Sequence, residues 1–206
     1  MFRTHLYLCF VALMLFPGTT IAQERQLTRI IIAADHSNSM HTSGNIHIQT
    51  NAFTTAIETY LQTCNEVQLT YIAWGSNVPT VWSFVLSDRA SREQFTTRIQ
   101  TEIKNTNMGQ TVHLSAWTSS IRVQATDVAS NTAIIVITDQ IGTVIPDTLP
   151  QNVYLFKIAL GSPEVERYMR KDFIPNQGRS YHAADTDELR RIITEVFLMM
   201  GSHCLG

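Results

Sequence analysis

Three stretches of this chain are apolar at nearly every position: Thr28–Ala34 (TRIIIAA), Thr132–Thr138 (TAIIVIT) and Val153–Leu160 (VYLFKIAL). A strand with one solvated face alternates apolar and polar residues. A run without alternation belongs to a strand covered on both faces, which is the situation of a parallel sheet. These three runs therefore restrict the chain to architectures in which helices lie on both sides of a sheet.

The segments between them supply those helices. In Asn45–Cys64 the apolar residues Phe53, Ala56, Ile57, Tyr60, Leu61 and Cys64 recur at spacings of three and four, which predicts a helix with one buried stripe. Glu66–Trp74 and Val78–Leu86 are rich in β-branched and aromatic residues and are separated by Gly75-Ser76-Asn77, so they predict an antiparallel hairpin. Ser87 or Asp88 caps a helix carrying Phe95, Ile99 and Ile103. Lys104–Gln110 reads as a polar loop, and Thr111–Gln124 as a helix with Val112, Ala116, Trp117 and Ile121 inward. Pro163–Asp172 reads as a short helix with proline in its first turn. Arg179–Ala183 reads as a short edge strand. Asp185 caps the last helix, with Glu188 three residues on and a stripe of Leu189, Ile193, Val196 and Met200. The expected fold class is α/β: a doubly wound, mostly parallel sheet with one antiparallel edge strand and helices on both faces.

The first 22 residues read differently. Arg3 and His5 precede the apolar run Leu6–Phe16, Pro17-Gly18 breaks it, and Thr20-Ile21-Ala22 places small residues where a signal peptidase cuts. That run is shorter than the roughly 20 residues a membrane-spanning helix needs. An uncleaved anchor is the competing reading. The expectation is a signal peptide over 1–22, a single domain over 23–206, and a periplasmic or secreted protein with no membrane insertion after cleavage. The net charge is −2, and loss of Arg3 makes it more negative. No basic patch suggests nucleic acid as a partner.

In a doubly wound sheet, ligands bind beyond the carboxyl ends of the strands. The first apolar run ends there in Asp35, followed by Ser37 and Ser39 in "DHSNSM". In an extended turn, side chains at alternate positions share a direction and could meet at one point. Thr111, in "MGQT", and Asp139, which ends the Thr132–Thr138 strand, are expected at the same edge. Two carboxylates and three hydroxyls form an all-oxygen donor set suited to a hard divalent cation: Mg²⁺, with Mn²⁺ or Ca²⁺ as alternatives. The competing reading is that these residues merely cap turns and helices, since Asp and Ser are favoured in turns.

A strand ending in D-x-S-x-S, then a loop threonine, then a buried strand ending in Thr-Asp resembles the von Willebrand factor type A domain and its metal-ion-dependent adhesion site. The resemblance runs from Thr28 to about Met200. "YIAWGSN", with Trp82 in the next strand, is similar to a bacterial secreted branch of that family. The resemblance implies that Asp35, Ser37, Ser39, Thr111 and Asp139 hold the cation, directly or through water. It also implies an open coordination position for an Asp or Glu of a protein partner. The sequence departs from the family in two places: Gln140 stands where glycine is frequent, and His36 where smaller or apolar residues are usual.

His36, His41, His47 and His113 fall in segments expected near this edge. They suggest, with Gln140, a partner-binding rim; polar loop surface is the competing reading, and their spacing fits no zinc pattern. Trp74, Trp82 and Trp117 each lie within an apolar element and are expected in the core. Of three cysteines, Cys9 lies in the leader. Cys64 and Cys204 follow two helices that end at the opposite edge of the sheet, and these helices are neighbours in the resembling fold. A Cys64–Cys204 disulfide is expected, with two free thiols as the alternative. It would close a loop of about 140 residues and contribute on the order of 4 kcal/mol.

No G-x-S-x-G, H-E-x-x-H, C-x-x-C or Walker loop occurs. A metal-dependent hydrolase would need Asp35 or Ser37 as nucleophile with a base such as His36 or His113. The chain has only Lys104, Lys157 and Lys171 as lysines, and Ser37 stands where a phosphoryl-transfer enzyme of this type carries a second acid. The sequence favours a non-enzymatic protein-binding module, with the hydrolase and a metal-independent structural interaction domain as alternatives.

Overall fold

The computed structural model describes residues 28–62, 66–75, 79–109, 132–139, 153–161, 163–164 and 178–201. Among them the elements run, in chain order, β1 (Thr28–Asp35), α1 (Asn38–Thr42), α2 (Asn45–Tyr60), β2 (Val67–Trp74), β3 (Thr80–Leu86), α3 (Arg89–Thr101), a single 3-10 turn (Ile103–Asn105), β4 (Thr132–Thr138), β5 (Val153–Leu160), β6 (Gly178–Ala183) and α4 (Thr186–Gly201). The leader, the expected helix over Thr111–Gln124, most of the one over Pro163–Asp172, and Cys64, Trp117 and Cys204 lie outside the described residues.

The six strands form one sheet in the order β3-β2-β1-β4-β5-β6. Every neighbouring pair is parallel except β2 with β3, which are antiparallel. The mixed sheet with one antiparallel edge strand is therefore as the apolar runs and the hairpin signal predicted. After β1 the chain builds outward through β2 and β3. It then crosses to the other side of β1 to place β4. The direction of winding thus reverses between β1 and β4, the place where sheets of this kind bind ligands, beyond the carboxyl ends of the strands.

The unbroken apolar runs find two cores. Ile30, Ile32 and Ala34 of β1 pack, with Ala133, Ile135 and Ile137 of β4, against the buried faces of α2, α3 and α4. Ile31, Ala33, Ile134 and Val136 point to the opposite face, beside Ile72, Trp74, Val153 and Leu155. β3, with only one neighbour, alternates instead: Trp82, Phe84 and Leu86 are buried, while Val81 and Val85 are exposed. Trp74 and Trp82 are core residues as expected, and the Trp82 indole N–H donates to Glu102 at 2.9 Å.

The helix ends follow local chemistry. Asp88 is the cap of α3: its carboxylate accepts from the Ser91 backbone N–H at 2.8 Å, and the Ser91 hydroxyl returns to the Asp88 N–H. Ile103, expected on the same helix, instead sits in the 3-10 turn after α3 has ended, and is still buried. At α4 the Glu188 N–H donates to Asp185, and the Glu188 carboxylate accepts from Ala184. α2 ends at Tyr60 rather than Cys64, and Tyr60 packs against Phe197 of α4 with ring centroids 5.4 Å apart. The two helices are neighbours, as the disulfide expectation requires.

Candidate metal site

Asp35 is the last residue of β1 and is fully buried. Its Oδ1 accepts the Ser37 backbone N–H at 2.8 Å, and its Oδ2 accepts the Thr138 hydroxyl at 2.6 Å. Thr138 closes β4, so the two central strands are joined side chain to side chain at the switch point.

The residues after Asp35 differ from an extended turn. Ser37 is extended, but Asn38 begins the five-residue helix α1, and Ser39 lies inside it. The expected convergence still occurs. The Ser37 hydroxyl makes no capping bond; its Oγ lies 3.0 Å from that of Ser39. The Ser39 hydroxyl in turn donates to Asp139 Oδ1 at 3.0 Å. A continuous line of oxygens thus runs from buried Ser37 through exposed Ser39 to half-buried Asp139, with Asp35 beneath. Four of the five expected ligands are brought together. Thr111 lies outside the described residues, as do His113 and Gln140 of the expected rim.

Both carboxyls are held above their ordinary range. Burial pushes the Asp35 carboxyl up to about 6; hydrogen bonds from Thr138 and Ser37 oppose this, and the nearby charge of Asp139 adds to it. Asp139 is also raised by burial, against hydrogen bonds from Ser39 and Asn45. Two carboxylates beside neutral hydroxyls are an oxygen set that a hard divalent ion satisfies by favouring their ionised forms. The residues present therefore fit such an ion. Among the described residues no group of three or more His, Cys, Asp or Glu is gathered that could hold a metal ion, so an ion here would depend on the serine hydroxyls as well as the two carboxylates.

His36 corrects the sequence reading. It was expected on an exposed rim, yet it is fully buried. The reason is its partners. Its Nδ1 lies 2.8 Å from the Thr106 carbonyl, which can only accept, so Nδ1 carries the hydrogen. Its Nε2 lies 3.0 Å from the Tyr71 hydroxyl, which then donates to the neutral ring. Burial holds the imidazole down at about 4, the Thr106 bond and nearby His41 being smaller influences. His41 is half-buried and its Nε2 donates to the same Thr106 carbonyl at 2.9 Å. His47 is exposed.

The segment 106–109, which the sequence presented as a polar loop, is thereby tied to the β1 end. The Met108 N–H donates to the His36 carbonyl and the Asn38 N–H to the Gly109 carbonyl, each at 2.9 Å. Gly109 has φ +87°, a conformation open chiefly to glycine. Gly75, just after β2, lies so close to Met108 that a Cβ there would stand 2.4 Å from the Met108 Cβ. Gln49 of α2 donates to the Asp35 carbonyl at 3.2 Å. Sequence reasoning missed Gln49, Gly75, Thr106 and Thr138 as supports of the site. No local pattern marked them: Tyr71, which reaches His36, stands in a strand that also carries Gln68 and Thr70.

No family model matches the sequence, and no curated protein matches it. Solved structures do. A von Willebrand factor type A protein from Catenulispora acidiphila superimposes with a TM-score of 0.60 at 15% identity, over 85% of this chain and 43% of that one. The ArnB paralog VWA2 from Sulfolobus acidocaldarius gives 0.61 at 19% identity, over 82% and 45%. The pilus adhesin SpaC from Lactobacillus rhamnosus GG gives 0.59 at 9% identity, over 88% and 31%. This chain spans less than half the length of each of these three. Its six-stranded, mostly parallel sheet with a single antiparallel edge strand has the von Willebrand factor type A fold.

Proposed function

We propose that this protein is an exported, non-enzymatic interaction module that binds a protein partner through a divalent cation, Mg²⁺ in the first instance. Asp35, Ser37, Ser39, Thr111 and Asp139 would hold the ion, and a partner Asp or Glu would complete its shell. The observation that carries this reading is the line of oxygens from Ser37 through Ser39 to Asp139 above buried Asp35. It begins in the interior and meets solvent at Ser39, so the site is supported from below and accessible from above. The adhesin among the structural neighbours supports an adhesive role outside the cytoplasm.

The chain's own residues divide the work. Thr138 and the Ser37 N–H orient the Asp35 carboxylate, Ser37 and Ser39 present neutral oxygens, and Asp139 supplies a carboxylate at the rim. A Mg²⁺-dependent pull-down from the native envelope fraction, eluted with EDTA, tests the proposal. The expected result is a partner held by wild type and not by Asp35→Ala. Retention of the same partner in EDTA would contradict it.

A further inference from the structure

We infer that His36 and His41 are positioning residues that together clamp the Thr106 carbonyl and so fix where the chain enters the segment carrying Thr111. This inference deepens the cation-site reading and rests on it. Three observations lead to it. Two imidazoles from one short stretch donate to a single backbone oxygen, at 2.8 and 2.9 Å, 70 and 65 residues along the chain. The same segment is held at two further points, by Met108 to His36 and by Asn38 to Gly109. Gly109 precedes Thr111 by two residues, so four hydrogen bonds lie immediately upstream of the one expected ligand that follows neither β1 nor β4 directly.

The clamp is itself held from behind. The Tyr71 hydroxyl donates to His36 Nε2, which keeps the hydrogen on Nδ1, facing Thr106. The His36 and Tyr71 rings meet edge to face, with centroids 5.7 Å apart, so packing and hydrogen bonding fix one orientation. A neutral ring at this position gives the loop a donor without adding a positive charge beside a cation site. An apolar residue could fill the space but could not hold the carbonyl.

His41 is the residue to change, because it is half-buried and its loss leaves the interior intact. Two readouts on metal-free and Mn²⁺-titrated protein separate the clamp from the cation site. In metal-free His41→Ala, exchange of the Met108 and Asn38 amides is expected to quicken about fivefold, the equivalent of one ordinary hydrogen bond. The Mn²⁺ affinity of the same variant is expected to fall about tenfold, as when other outer supports of a metal site are removed. His41→Gln, whose amide can place a donor where Nε2 stood, is expected to restore both. Exchange rates indifferent to His41→Ala would overturn the clamp whatever the metal does. Faster exchange with unchanged Mn²⁺ affinity would overturn its role in delivering Thr111. A wild type that takes up no Mn²⁺ would overturn the cation reading and that delivery role with it, while the exchange result would still decide the clamp.

Discussion

Ser39 and Asp139 stand 100 positions apart in the chain and are joined by a 3.0 Å hydrogen bond from the serine hydroxyl to the carboxylate. The bond crosses the switch point of the sheet, linking α1, just beyond β1, to the first residue beyond β4. Ser39 is exposed, so Ser39→Ala should leave unfolding free energy within about 0.5 kcal/mol of wild type. It removes one oxygen of the proposed ligand set, and Mn²⁺ affinity should fall at least about tenfold, or about 1.4 kcal/mol. Urea denaturation in EDTA and a Mn²⁺ titration check the two halves.

Gly75→Ala should act on the site from beneath. The added Cβ would meet Met108 Cβ at 2.4 Å and the Met108 carbonyl oxygen at 3.0 Å, so the 106–109 segment must move. The expected destabilisation is about 1–3 kcal/mol, the range for overpacking. Mn²⁺ binding should weaken in parallel, although Gly75 is not among the proposed ligands. Denaturation and Mn²⁺ titration of the same sample would show it.

The pH dependence has two opposed arms. Burial raises Asp35 from its ordinary 3.8 to about 6, so its contribution to stability is fully present below 3.8 and is lost as pH rises through 6. Burial lowers His36 from 6.5 to about 4, so its contribution is present above 6.5 and is lost as pH falls through 4. Each arm amounts to about 3 kcal/mol, and in metal-free protein they largely cancel. A cation favours ionised Asp35 and offsets the first arm. The stability gained from Mg²⁺ over EDTA should therefore grow from pH 4 to pH 7, measured by denaturation at each pH.

The cysteine pair gives a separate prediction. Peptide mapping of unreduced exported protein should recover Cys64 joined to Cys204, and reduction should destabilise the fold by on the order of 4 kcal/mol. Two free thiols in that mapping would remove the pairing. The packing of Tyr60 on Phe197 makes neighbours of the two helices that precede these cysteines in the chain.

The strands were legible because their signal is local. Ile30 to Ala34 and Ala133 to Ile137 are apolar at every step, and only a sheet covered on both faces accepts that. Asp35 and Asp139 were legible for the same reason, as the first acidic side chains after such runs. His36 was not. Between an acid and a serine it reads as surface, and the groups that bury it, Tyr71 and Thr106, lie 35 and 70 residues away. The helix α1 was missed because five residues are too few to show a period, although the convergence of Ser37 and Ser39 survives it. Gly75 carried no local sign of the contact with Met108 that forbids it a side chain.

Thermal melts of wild type and Asp35→Ala in EDTA, Mg²⁺ and Mn²⁺ test the cation site most directly. At a cation concentration a hundredfold above Kd, wild type should gain about 2.7 kcal/mol, a Tm rise of roughly 5–10 °C, and Asp35→Ala should gain nothing. No rise in wild type, or an equal rise in both proteins, would contradict the account.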